Sequence, residues 1–142
     1  MTNIALVARK LAVMNEHLRR LAARRPATLA GLRTDDLLQD AISMSVLVVV
    51  QEAMDIALHI ASDEGWEVAP TYREAFLVLA RHSVIPDALA ASLGGAAHLR
   101  NRIAHGYASL DVERLWNELP AGIAAFEELA RAVSIFLQKQ PI

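Results

Sequence analysis

Eight consecutive residues, Arg100-Asn101-Arg102-Ile103-Ala104-His105-Gly106-Tyr107, gather the chemically capable side chains of a largely apolar sequence. Histidine transfers protons near neutral pH, and arginine offers a permanent cation whose planar fork matches phosphate oxygens. Together they suit metal-free cleavage of an RNA backbone. His105 would handle the proton of the ribose 2′-hydroxyl or of the leaving oxygen. Arg100 would stabilise charge on the phosphate in the transition state. Asn101 and Arg102 would support them by holding the imidazole or the phosphate. The same residue types also serve as a helix cap with surface charge, which is the plainer reading of a short motif.

Geometry adds a condition. On a helix each residue turns by about 100°. Asn101 and His105 are then four apart on one face, and Arg102 neighbours His105 one turn earlier. Arg100 precedes His105 by five positions and lies about 140° round the axis. Either its long side chain reaches round, or the helix ends early near Gly106, or a second chain completes the site.

The elements that must hold this motif read as helices throughout. Ile4, Leu6, Val7, Leu11, Met14, Leu18 and Leu21 recur at three- and four-residue spacing, which predicts a first amphipathic helix closed by Pro26. Gly31 is expected in a loop, and Thr34 as the cap of a long second helix with Asp35 and Asp36 in its first turn. That helix should run to about Glu64, stop at Gly65 and, being apolar on every side, sit centrally. Its Val46–Val50 run is β-branched, yet helical spacing continues on both flanks, so context overrides local propensity. Thr71-Tyr72-Arg73-Glu74 is a capping box that opens a third helix ending near His82. Pro86 suits the first turn of a fourth helix, which Gly94-Gly95 should weaken or bend and Gly106 should terminate. Asp111 caps a fifth, which Pro120 should kink or divide. The expectation is an all-α bundle of about five helices forming one domain over residues 1–142.

Composition bounds what this bundle can do. The chain has 142 residues, is 54% hydrophobic and contains no cysteine, so it can build a core without disulfides or thiolate-bound metal. A reducing, cytoplasmic setting fits. Arg9 and Lys10 interrupt any apolar N-terminal run, so no signal peptide is expected. The most apolar stretch, from Ala41 to Val50, is too short to cross a bilayer, which needs about 20 residues. It reads as buried helix, with no membrane role. Residues 1–33 hold seven basic residues against Glu16 alone, whereas the rest holds seven against fifteen acidic ones. The basic arm would attract phosphate or an acidic partner, or simply form a solvated helix face.

Other polar residues offer weaker chemistry. Glu52, Asp55 and His59 share a face of the second helix, where they would line the same cleft or brace it, with an Asp55–His59 pair as one form of support. A metal role is not favoured, because the Glu-x-x-His pairs of di-iron bundles are absent. No cofactor is implied. His17, His82 and His98 lack partners at ligand spacing and read as structural or exposed. Aromatics are few, so a base-stacking platform is not indicated.

The octet resembles the Arg-x4-His-x-Tyr motif of HepT-type toxins in the HEPN superfamily. Val50-Gln51-Glu52-Ala53-Met54-Asp55-Ile56-Ala57-Leu58-His59-Ile60 is similar to that family's second helix, and Thr71-Tyr72-Arg73-Glu74-Ala75-Phe76 to its third-helix opening. Leu110-Asp111 matches the usual continuation, so the likeness covers about residues 35–130. It implies a helical, homodimeric endoribonuclease toxin of a type VII toxin–antitoxin pair, with two motif copies meeting in a cleft between subunits. It also implies an MntA-type nucleotidyltransferase antitoxin that adds AMP to Tyr107. A bulky, negatively charged group two residues from His105 would repel an RNA backbone. The alternative is a non-catalytic helical subunit that binds nucleotide or docks onto a nucleotidyltransferase.

Overall fold

The structure is a computed structural model describing residues 1–105 and 110–141. Six helices follow one another along the described residues: α1 (Ile4–Arg24), α2 (Leu29–Arg33), α3 (Asp36–Asp63), α4 (Tyr72–Arg81), α5 (Asp87–His105) and α6 (Val112–Gln138). No strand occurs among them.

Each start has a local cause. Asn3, Thr28, Asp35, Thr71 and Asp111 cap the helices they precede, each side chain accepting a backbone N–H inside the first turn. The cap of α3 is therefore Asp35. Thr34 instead closes α2, where its hydroxyl donates to the Ala30 carbonyl at 2.8 Å. The stretch around Gly31 forms this short helix rather than a loop, because Thr28 caps it and Leu32 is fully buried in the core. Pro86 stands just ahead of α5, its carbonyl accepting from Ala90 at 3.1 Å. The α3 C-terminus turns through Gly65 at φ 71°, with Trp66 N–H bonding Ala61 O at 2.8 Å and Gly65 N–H bonding Ser62 O at 3.2 Å.

α3 is the axis of the molecule and touches all five other helices. Ile42, Val46, Val49, Met54, Ile56 and Ile60 bury on different sides of it. By length and hydropathy alone α3 would be able to cross a membrane, but many of its apolar residues, Ile42, Val49 and Ile60 among them, lie in the bundle core. α1 lays Val7, Leu11, Met14, Leu18 and Leu21 along it as one stripe. α4 and α5 pack on each other and on α3, and α6 closes the other side against α1 and α5.

Neither helix is divided at the residues expected to disturb it. α5 runs through Gly94 and Gly95, and α6 continues through Pro120. Gly94 is a contact point: a Cβ there would lie 3.0 Å from Arg73 Cγ. The basic residues of α1 and α2 are largely engaged within the chain. Arg19 and Arg20 pair with Glu16, Lys10 with Asp55, and Arg33 with Glu113.

Candidate functional site

The motif occupies the last described turns of α5. Ile103 is fully buried and anchors them, while Asn101, Arg102 and His105 stand exposed. Those three side chains line an open groove of about 970 Å³ between α5 and α6. Gly95, Ala96, Ala121 and Gly122 help form it; beyond the adjoining turns of their own helices, nothing lies within 4 Å of where a Cβ of Gly95 or Gly122 would stand. Small residues on both helices thus keep the groove wide.

α6 adds two groups that the motif does not contain. Glu118 accepts from Arg102 Nη2 at 3.1 Å and from Arg114 Nε at 2.9 Å. Both Arg114 and Glu118 line the groove beside His105. Two cations and one carboxylate therefore edge a histidine-bearing channel, an arrangement suited to a phosphate chain. The Arg114–Glu118 pair is visible in the sequence as an i, i+4 match; its meeting with Arg102 is not.

Arg100 is not part of this groove. Its Nη1 donates to Asn101 Oδ1 at 3.3 Å and its Nη2 to Gln51 Oε1 at 3.5 Å, while its Nε is shielded from solvent without a partner. The guanidinium is thus turned toward α3, away from the His105 groove. Gln51, which sequence reasoning passed over, is in turn oriented by Asp55. Its Nε2 donates to Asp55 Oδ1 at 3.0 Å, and Lys10 Nζ donates to Asp55 Oδ2 at 3.2 Å.

Glu52 and Asp55 therefore do not line the His105 groove. They join α3 to α1 through Lys10, which lies 3.6 Å from Glu52 Oε2, an ion pair too long for a hydrogen bond. The Asp55–His59 pair considered as one form of support is not formed; Asp55 instead accepts from Lys10 and Gln51. Among the described residues no group of three or more His, Asp or Glu is placed to hold a metal. Gly106 and Tyr107, expected as helix stop and modification site, lie outside the described residues.

The remaining histidines divide by environment. His17 Nδ1 meets Ser45 Oγ at 3.0 Å, and burial, then nearby Arg20, holds its pKa below the ordinary value. His82 stacks on Trp66 with ring centroids 4.1 Å apart and pairs with Glu67 at 2.9 Å; that hydrogen bond lowers the Glu67 pKa. Both are structural, as expected. His98 lies at the edge of the α5–α6 groove.

Comparison with known proteins follows the same lines. The tRNA nuclease HepT of Aphanizomenon flos-aquae (strain 2012/KM1/D3) is 26% identical over 90 residues, 63% of this chain and 61% of that protein. The chain thus matches less than two thirds of that relative's length. The tri-AMPylated HEPN toxin of Shewanella oneidensis, solved in complex with its MNT antitoxin, superposes with a TM-score of 0.83 at 21% identity, covering 95% of this chain and 99% of that one. The cytosolic protein YutE from Bacillus subtilis, of unknown function, superposes with a TM-score of 0.86 at 11% identity, covering 99% and 96%. At these identities the structures speak for the fold. A family model described as "Ribonuclease HepT-like" matches residues 14–133, the whole octet included. The chain belongs to the ribonuclease HepT-like family.

Proposed function

We propose that this protein is a HEPN toxin: a metal-independent endoribonuclease that a nucleotidyltransferase antitoxin of the MntA type silences by adding AMP to Tyr107. The family match across residues 14–133, spanning Arg100 to Tyr107, is the observation that carries this reading. The relative named as a tRNA nuclease makes tRNA the first substrate to try. The AMP-bearing toxin solved with an antitoxin supports the mode of silencing.

The chemistry follows from the residues. His105 takes the proton from a ribose 2′-hydroxyl as that oxygen attacks the adjacent phosphorus, or returns a proton to the departing 5′-oxygen. An arginine offsets the charge that builds on the non-bridging oxygens. Arg100 fills that role from a neighbouring subunit, and Arg102 and Asn101 hold the strand. Glu52 and Asp55 act at one remove, through Gln51 and Lys10. AMP on Tyr107, two residues from His105 in sequence, would add bulk and a phosphate charge that opposes the substrate's.

One experiment tests the reading. Total tRNA is incubated, in the presence of a chelator, with three proteins: the parent, His105→Ala, and the parent co-expressed with a nucleotidyltransferase antitoxin. The expected outcome is cleavage by the parent alone, with His105→Ala at least about 100-fold slower, the usual scale for losing a general acid or base. Equal cleavage by His105→Ala removes the proposed catalyst. Absence of cleavage by the unmodified parent favours the non-catalytic docking subunit.

A further inference from the structure

An adjacent flank of α5 carries a second recess, of about 600 Å³, within the usual size range of small-ligand sites. Leu58 of α3 and Pro70, Tyr72 and Arg73 at the start of α4 form one side, and Gly94 and His98 of α5 the other. Its chemistry is unlike that of the surrounding surface in two respects.

Tyr72 is exposed, at 39%, although it opens a helix whose next apolar residues are buried. Arg73 beside it lies flat against α5. Its Cγ, Cδ and Nε are 3.0, 3.5 and 3.6 Å from where a Cβ of Gly94 would stand, so a larger residue there would press the stem outward. The acids nearest in sequence, Glu67 and Glu74, are both drawn to Arg81. Among the described residues Arg73 forms no ion pair, so a positioned cation faces the recess uncompensated.

The recess adjoins the His105 groove along α5. Gly94, His98, Asn101 and His105 follow one another at intervals of four, three and four residues, one stripe along α5. His98 and Asn101 line both spaces. A strand whose phosphate sits at His105 would therefore run over Asn101 and His98 into the recess. There it meets an aromatic face and a cation, the pairing that holds unstacked nucleotides.

We propose that this recess binds a single-stranded nucleotide flanking the cleaved phosphate, with Tyr72 stacking on the base, Arg73 taking its phosphate, and His98 and Asn101 contacting its polar edge. The proposal rests on the ribonuclease reading. It extends the site from a cutting point to a strand-binding path. It also replaces the expectation that so few aromatics give no stacking surface, since one ring suffices for one base. Tyr72 and Arg73 are specificity residues in this scheme and do not touch the reacting atoms.

The test uses full-length protein and a short fluorescent single-stranded RNA. Binding is read by anisotropy on His105→Ala protein, which retains bound RNA uncut, with further changes Tyr72→Ala, Tyr72→Phe, Arg73→Ala and Gly94→Ala. Cleavage is read on the same recess variants with His105 intact. Tyr72→Ala and Arg73→Ala should each weaken binding about tenfold, the scale of one stacked base or one phosphate contact, and raise KM with little change in kcat. Tyr72→Phe should bind like the parent, and Gly94→Ala should weaken binding less than Arg73→Ala. Circular dichroism and melting confirm that each variant is folded. Unchanged RNA affinity in folded Tyr72→Ala and Arg73→Ala, with the parent still cleaving, overturns the recess and leaves the ribonuclease reading standing. Tight binding of AMP alone, lost in those variants while RNA affinity persists, assigns the recess to a free nucleotide and also overturns it. A parent that neither binds nor cuts RNA defeats the ribonuclease reading, and the recess falls with it.

Discussion

At the scale of single residues, Glu118 is the group whose charge works against the proposed substrate. It sits in the groove between Arg102 and Arg114, at 3.1 and 2.9 Å, with about 39% of its side chain exposed. Exposed pairs of this kind contribute roughly 0–1 kcal/mol, so Glu118 holds the two guanidiniums in place at little energetic depth. A phosphate can compete for both. Glu118→Gln keeps the shape, removes one negative charge and frees the arginines. The expected result is roughly two- to fivefold tighter binding of RNA to His105→Ala protein, the factor corresponding to such a pair, with a steeper loss of affinity on adding salt. Binding that is unchanged or weaker would mean that Glu118 positions Arg102 rather than restraining it. The spacing of the octet already groups Asn101, Arg102 and His105 on one side and sets Arg100 apart, and the structure keeps that division. Gln51 and Glu118 are not legible as members of the site. Their partners Arg100 and Arg102 lie 49 and 16 positions away, and no local pattern signals a contact of that range.

At the scale of elements, the clearest departure from the sequence reading is α6, which passes Pro120 without a break. Proline has no N–H, so the carbonyl four residues earlier, on Trp116, loses its helical donor. Arg25, at the C-terminal cap of α1, supplies a substitute. Its Nη2 donates to Trp116 O at 3.5 Å, and its guanidinium carbon lies 3.7 Å from the centre of the Trp116 ring. A donor 91 positions distant cannot be read from the neighbourhood of Pro120, which is why the local rule predicts a kink. Helix starts, by contrast, are largely legible, because a cap acts within three residues; Thr71 and Asp111 behave as their spacing indicates. The compensation can be measured as a double-mutant cycle. Arg25→Leu should cost about 1–2 kcal/mol through the lost ring contact and the orphaned carbonyl. In a Pro120→Ala background the cost should fall by about half, since the backbone N–H restored by that substitution would donate to Trp116 O itself. Chemical denaturation of the four proteins reads both numbers. Strict additivity would show that Arg25 acts through the ring alone.

At the scale of the whole molecule, the division between Arg100 and His105 becomes a statement about assembly. One chain places His105 in the α5–α6 groove and turns Arg100 toward Gln51 on α3. The shielded Nε of Arg100 and the chain of contacts through Gln51, Asp55 and Lys10 fix that direction across three helices. Swinging the guanidinium round α5 would break the Gln51 contact, so, on the proposed reading, Arg100 would meet a histidine only from a second copy, while Arg102 and Arg114 already flank His105 within one chain. Complementation between inactive chains tests this directly. Arg100→Ala and His105→Ala proteins, each inactive alone, are given different affinity tags, co-expressed, and the doubly tagged assembly is isolated. If each site draws Arg100 from one chain and His105 from the other, this assembly contains one intact site and should recover a substantial fraction of parental cleavage. If both residues act from the same chain, every site in it is broken and no cleavage returns. A doubly tagged species that forms and stays inactive therefore rejects the composite site, and Arg100 would then have to be reassigned to holding α3 and α5 together.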